Sequence, residues 1–415
     1  MEKLKIGLIG LGTVGSGVYK SLADENIEIV QVAVRNINKP RSVEVPREKL
    51  TDNPYDVVTN PDINVVVELM GGVEPAWSYI KTALENGKHI VTANKELLAK
   101  KGEELFNLSE QHNRVVLYEA AIAGGIPIIM PIKTILAGNK INKIQAILNG
   151  TTNYILTKMD SDGASYEDVL KEAQALGYAE TDPTGDVEGF DAAYKITTLA
   201  TIAFNSRIKF ENVYREGITK IRKEDMQKAN ELGYKIKLIA SATIDENNNA
   251  DVRVHPMLVS KKHTLAHINY VTNAVEMSGH PIGNILLSGP GAGEFPTASS
   301  VIGDILAIAR EWKTTDYLLP MMRCHHHSVA NPIMVEDTCN KYYLSISAAN
   351  EVGLIAKIGT TCANNNVSLS VVLSDSDEKD ARVTVITEKC MEKDIQRVVA
   401  QLDGCCVNSL IRVMS

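Results

Sequence analysis

Basic charge is in short supply in this chain: 43 Lys+Arg stand against 51 Asp+Glu, a formal net charge of -8. That mildly acidic balance argues against a nucleic-acid-binding body or a polybasic membrane arm. Long hydrophobic runs are missing too, since none approaches the roughly 18 residues needed to span a bilayer. The six Cys all lie between Cys324 and Cys406, with no C-x-x-C pair, so neither a disulfide framework nor a zinc site is indicated. MEKLKIGLIG turns directly into a strand pattern, with no cleavable signal or Arg/Ser-rich transit region. Internal repeats and low-complexity tracts are absent as well. These absences predict a cytoplasmic protein with reduced thiols and no membrane or nucleic-acid partner.

The hydrophobic content, 44%, is ordinary for a globular protein and too high for a disordered one. At about 150 residues per domain the length predicts two or three domains. The first 150 residues alternate apolar strands with helices. The strand runs are LKIGLIG, EIVQVAV, NVVVEL (Asn64 to Leu69), HIVTA (His89 to Ala93) and RVVLYEA (Arg114 to Ala120). Fully apolar strands separated by helices predict a parallel sheet covered on both faces. From Ile141 the pattern becomes α+β, with alternating segments between Tyr234 and Leu287 that suggest a mainly antiparallel sheet. The tail from Lys341 reads strand, helix, strand, strand, helix, strand. The predicted class is therefore α/β, in three parts. A doubly wound parallel sheet covers 1–130 and an α+β domain 131–320, whose segment 289–312, a Gly-rich loop and helix, is expected to pack back toward the ligand-binding end of that sheet. A linker over 321–340 then leads to a βαββαβ module over 341–415.

Gly10, Gly12 and Gly15 form G-x-G-x-x-G (GLGTVG) between a strand and a helix. The first Gly permits the tight turn, the second lets the backbone approach a pyrophosphate, and the third lets the helix pack on the sheet. In this context the motif predicts dinucleotide binding. The second strand ends in Arg35 where NAD enzymes carry an acid, with Lys39 and Arg41 close behind. A guanidinium suits a ribose phosphate, which favours NADP over NAD; a solvated Arg at a strand end is the plain alternative. Lys95 opens a helix behind the N-cap Asn94, where a cation opposes the helix dipole, and such a misplaced residue hints at function. The run Cys324-His325-His326-His327 is set aside as a metal site, because adjacent histidines rarely share one ligand geometry. The densest cluster is YAETDPTGDVEGFDAAYK, Tyr178 to Lys195, in which Asp191 and Lys195 lie one helical turn apart. That pair is either a surface ion pair worth a few tenths of a kcal/mol, or part of a polar site that grips an ammonium and handles a proton.

These residues resemble homoserine dehydrogenases. The family signature A-x-x-x-G-Y-A-x-x-D-P-x-x-D-x-x-G-x-D-x-x-x-K is matched from Ala173 to Lys195. The flanking stretches TANK (Thr92 to Lys95), EAAIAGGIPII (Glu119 to Ile129), NGTTNYIL (Asn149 to Leu156) and GPGAGEFPTASSVIGD (Gly289 to Asp304) match too. The resemblance spans the chain and is to the monofunctional form, with a tail similar to an ACT domain. It implies reversible NAD(P)H-dependent reduction of aspartate 4-semialdehyde to homoserine in amino-acid biosynthesis. Lys195 would be proton donor and acceptor and Lys95 the second essential lysine. Glu180 and Asp191 would hold the substrate's amino group, with Asn149, Gly150, Thr151, Tyr178 and Asp186 also at the substrate. The cofactor set would be Gly10, Leu11, Gly12, Thr13, Val14, Gly15, Arg35, Met70, Thr92, Lys95 and Gly293. A structural sodium would sit on Glu119 and the carbonyls of Ile122, Gly124 and Ile126, bracing the joint between the two catalytic domains. The family is mostly dimeric or tetrameric. The ACT-like tail implies an amino-acid effector, threonine, although Asn350 and Val352 replace the Asp and Pro of the usual D-x-P-G and only Gly353 is kept. The rivals are a Rossmann oxidoreductase on another small carbonyl substrate and a non-catalytic amino-acid sensor. The second would be expected to have lost Lys95 or Lys195.

Overall fold

The computed structural model describes residues 3–313, 319–324 and 326–414. The chain forms two compact units that interleave in sequence: residues 1–148, 191–211 and 272–330 make the first, and 149–190, 212–271 and 331–415 the second.

In the first unit, six parallel strands stand in the order Leu50–Thr51, Ile27–Ala33, Leu4–Ile9, Val65–Glu68, His89–Thr92, Val116–Leu117. Side chains from Val65 to Glu68 are buried on both faces, which is why this strand reads as an unbroken apolar run. Strand order reverses beside the Leu4 strand, so its carboxyl end opens at the switch point where nucleotides bind in such sheets. Helix Thr13–Ser21 follows directly and packs against helix Glu294–Glu311, with Lys20 Nζ 2.7 Å from Glu294 Oε1. The expected strand from Arg114 to Ala120 contracts to Val116–Leu117. Glu119 leaves the sheet because its backbone N–H donates to Asp304 at 2.9 Å while its side chain turns to the amides of Ile128, Ile129 and Met130. Strands Lys140–Ile147, Thr272–His280 and Gly283–Pro290 are antiparallel neighbours in this unit.

The second unit is built on the antiparallel pair Tyr234–Ile244 and Asn249–Ser260, closed by a turn whose Asp245 carboxylate accepts the amides of Asn247 and Asn249. The tail forms the expected βαββαβ module. Strand Cys339–Ala349 lies between Cys405–Val413 and Asp380–Thr387, and Leu369–Ser376 forms the edge. Helices Leu354–Asn364 and Glu392–Gln401 cover it, and Ile346, Ile358, Val383, Ile395 and Val398 make a closed apolar core. The last residues of the chain's final strand pair in parallel with Met257 and Leu258, so the module's sheet continues into the hairpin. No described helix is long and apolar enough to cross a membrane.

Candidate active site

Gly10 ends the first strand at φ +101, and a Cβ there would stand 2.8 Å from the Leu69 carbonyl oxygen. A Cβ on Gly15 would stand 2.3 Å from the Gly10 carbonyl oxygen, whereas Gly12 faces open space. Leu11 is buried beneath the loop, and Thr13 and Val14 open the following helix, whose first turn carries no acidic residue. Bare helical N–H groups on a Gly-rich turn are what a pyrophosphate needs. Arg35 is exposed at the end of the neighbouring strand and has no ion-pair partner among the described residues. Arg41 instead turns its guanidinium onto the carbonyls of Asn36, Ile37 and Lys39.

Glu68, fully buried at the end of its strand, organises the rim beside this loop. Its Oε1 accepts the amides of Met70 at 2.8 Å and Gly71 at 3.2 Å, and its Oε2 accepts the Thr92 hydroxyl at 2.7 Å. Burial pushes this carboxyl above its usual value, against the pull of those donors. Thr92 in turn receives the Asn94 amide at 3.0 Å, and Asn94 donates to the Gly72 carbonyl at 2.6 Å and caps the next helix through Leu97. Lys95 therefore starts helix Lys95–Gln111 from a doubly anchored turn.

Asp191 and Lys195 lie in helix Phe190–Phe204, which is buried on nearly every face. Charges on such a helix must be paired. Lys195 Nζ is 2.6 Å from Asp191 Oδ2 and donates to the Leu148 carbonyl at 2.7 Å, while Lys95 Nζ is 2.6 Å from Asp191 Oδ1. Relative exposure is 8% for Lys195 and 7% for Asp191, so the surface-pair reading fails. Burial alone would raise Asp191, but Lys195 and then Lys95 outweigh it and hold the carboxyl well below the usual carboxylate range. The result is a carboxylate clamp on two ammonium groups, at the strand ends that carry the nucleotide loop. Such a cluster can protonate or stabilise an oxygen that develops negative charge.

In the second unit, Asn149 caps helix Gly150–Asp162 through the Thr152 amide at 2.8 Å and donates to Asp186 Oδ1 at 2.6 Å. Thr151 donates its hydroxyl to the Tyr178 carbonyl at 2.7 Å, which ties the signature loop to that helix start. The Tyr178 ring is half exposed, 5.0 Å from that of Tyr154, and Glu180 is exposed.

Three family models match the chain. One for the homoserine dehydrogenase NAD-binding domain covers residues 10–119, one for homoserine dehydrogenase covers 127–306, and one for the ACT domain covers 342–406. Homoserine dehydrogenase of Synechocystis is 43% identical, over 99% of this chain and 100% of its own. That of Bacillus subtilis is 37% identical, over 97% of this chain and 95% of its own. The chain belongs to the homoserine dehydrogenase family. A crystal structure of the Thiobacillus denitrificans homoserine dehydrogenase superposes with a TM-score of 0.93 at 38% identity, covering 100% of this chain and 99% of that one. A hyperthermophilic archaeal homoserine dehydrogenase solved in complex with NADPH gives 0.64 at 28% identity, covering 74% of this chain and 98% of that one.

The chain is thus an oxidoreductase with a nicotinamide-cofactor domain and a C-terminal ACT domain. Gly353 stands at the N-terminus of helix Leu354–Asn364 in that domain, and the Asn350 side chain donates to the Asp377 carbonyl. Of the remaining cofactor expectations, Met70 and Thr92 are both bound to Glu68, and Gly293 stands at the head of helix Glu294–Glu311. Near the expected sodium ligands, Glu119 takes three backbone amides on its two oxygens, and the Gly124 carbonyl accepts Ser300 Oγ at 2.6 Å. Glu119 and Asp304 are both buried, and no Lys or Arg among the described residues pairs with either. Burial and the neighbouring Glu119 push Asp304 well above the usual range. Carboxylate and backbone carbonyl oxygens are hard donors, the chemistry that a monovalent cation takes. In the Cys-His run, Cys324 meets Tyr118 and Lys133, His326 meets Asn205, and His325 lies outside the described residues.

Two contributors escape a reading of the residues alone. Glu68 left a signal, a lone carboxyl closing the apolar run NVVVEL. The Leu148 carbonyl left none, since every residue carries one and only the fold decides which meets Lys195.

Proposed function

We propose that the protein catalyses reversible reduction of L-aspartate 4-semialdehyde to L-homoserine, with Lys195 moving the proton. The observation that carries this is the clamp of Asp191 on Lys95 and Lys195 beside the nucleotide loop. When bound, the nicotinamide supplies or accepts the hydride. As the aldehyde is reduced, its oxygen takes a proton from Lys195 Nζ; in the oxidative direction Lys195 Nζ takes the hydroxyl proton back. The Leu148 carbonyl and Asp191 fix the direction of that nitrogen. Asp191 serves the lysines with both oxygens, which leaves Glu180 as the carboxylate for the substrate's ammonium. Lys95 adds positive charge where the alkoxide develops.

NADP is the favoured coenzyme, supported by the exposed Arg35 and by the NADPH complex of the archaeal relative. Sodium would take the carbonyls of Ile122, Gly124 and Ile126 with the remaining lone pair of Glu119, in a structural role. Threonine is the effector proposed for the ACT domain, with a homodimer or homotetramer as the working assembly. The test is initial-rate oxidation of NADPH and of NADH with aspartate semialdehyde, for wild type and Lys195→Ala. Loss of a positioned acid–base group is expected to cost roughly 10²–10⁴-fold. Arg35→Ala is expected to cut the NADPH-to-NADH ratio roughly tenfold. No turnover with either coenzyme would overturn the reading in favour of an amino-acid sensor.

A further inference from the structure

Arg412, in the last strand of the ACT domain, is 2% exposed. Its Nε and Nη2 bind Glu392 Oε2 and Oε1 at 2.9 and 2.6 Å, a bidentate pair inside the domain that Tyr342 completes by donating to Glu392 at 2.8 Å. A buried guanidinium already balanced by one carboxylate has no electrostatic need of a second. Yet Nη1 reaches outside the domain to Glu216 Oε2 at 2.9 Å, and Nη2 lies 3.3 Å from the Tyr214 hydroxyl.

Segment 214–219 is in turn bound to the signature loop. Ile218 donates its amide to the Val187 carbonyl at 2.8 Å. Arg215 donates to the Glu188 carbonyl at 2.9 Å and stacks its guanidinium 3.4 Å from the Phe190 ring centroid, and Thr219 donates to the Glu188 carboxylate at 3.1 Å. The approach at Gly217 is so close that a Cβ would stand 2.4 Å from the Val187 carbonyl oxygen. One residue before Val187 is Asp186, which accepts from the helix-capping Asn149.

We propose that Arg412 is a positioning residue. Through Glu216 it holds segment 214–219, and with it the loop that carries Asp186 to Asn149, so that the ACT domain sets the geometry of the substrate side. This deepens the proposed function and rests on it for the loop's role. The path from Arg412 through Glu216 and along the backbone to Ile218 and Val187 lies within one compact unit, and the Glu216 amide also donates to the Val254 carbonyl, so Arg412 adds to a segment already paired with the hairpin.

The test compares Glu216→Gln and Glu216→Ala with wild type in the full-length chain. Both variants leave the Arg412–Glu392 pair intact, so the ACT domain should keep its amide protection. For Glu216→Ala the homoserine KM is expected to rise roughly tenfold, the scale of one lost charge-assisted hydrogen bond, with kcat and coenzyme KM within about twofold. Glu216→Gln, which keeps an acceptor for Nη1, should recover much of that loss. Amide exchange in 186–190 and 216–219 should quicken in the order wild type, Gln, Ala. An unchanged homoserine KM and unchanged exchange in 186–190 would overturn the proposal, as would an equal loss in coenzyme KM. If wild type does not oxidise homoserine, the proposed function fails, and the exchange rates alone still decide whether the link exists.

Discussion

Asp191→Asn is the most informative single perturbation of the clamp. The substitution keeps the shape of the side chain but leaves two ammonium groups without their shared carboxylate, one of them on a nearly buried lysine. Breaking a buried pair by removing one partner costs about 3–5 kcal/mol. Lys95 has a side chain 44% exposed and keeps much of its hydration, so the lower end applies, about 3 kcal/mol. For domains of 150–250 residues, with about 2–4 °C per kcal/mol, that is a Tm loss of roughly 6–12 °C. The pH dependence has a definite sign. Asp191 is held below its usual value of 3.8 in the folded state, so its contribution is complete above that value and is lost as pH falls through the folded value. The Tm gap between wild type and Asp191→Asn, read by scanning calorimetry, should therefore stay level from about pH 8 to pH 5 and close below about pH 4. Activity should fall roughly 10²–10³-fold, because Lys195 loses its orienting partner. A gap that persists unchanged at pH 3, or a variant with wild-type kcat/KM, would refute the argument that the carboxylate is ionised and holds the lysines.

If the Met70–Thr92 rim contacts the coenzyme as proposed, Glu68→Gln should raise coenzyme KM several-fold with little change in homoserine KM, since Gln cannot accept from the Met70 and Gly71 amides and Thr92 equally well; equal effects on both would count against a local role. Gly10→Ala puts a methyl against the Leu69 carbonyl at a positive φ, and fluorescence titration should show NADPH binding lost or severely weakened. Among the described residues, Lys237 is buried with only carbonyl and amide oxygens and a Thr hydroxyl as hydrogen-bond partners, and burial pushes it down to about 8, against the pull of Asp160. Its folded value lies below the unfolded one, so the charging penalty is complete below pH 8 and stability relative to Lys237→Met should rise between about pH 8 and 10.5. A flat difference across that window would show the ammonium to be solvated.

Much of this protein can be read along the chain, because its decisive signals are local. The Gly10, Gly12 and Gly15 spacing, the apolar strand runs, the Asn94 cap and the i, i+4 spacing of Asp191 and Lys195 each depend on a few adjacent residues and on backbone geometry that repeats wherever it occurs. The family resemblance rests on stretches of the same kind. The tertiary structure decided what proximity in space alone can decide. It brought Lys95 to Asp191 across 96 positions, turning a pair that read equally well as a surface ion pair into a clamp centred on a buried carboxylate. It chose the Leu148 carbonyl as the acceptor for Lys195, gave Glu68 its three hydrogen-bond donors, and cut the strand after Leu117 short by turning Glu119 toward distant amides. It also aimed Arg412 outward at Glu216. Burial and partner choice depend on which segments the fold stacks together, and the sign and size of every electrostatic effect follow from them.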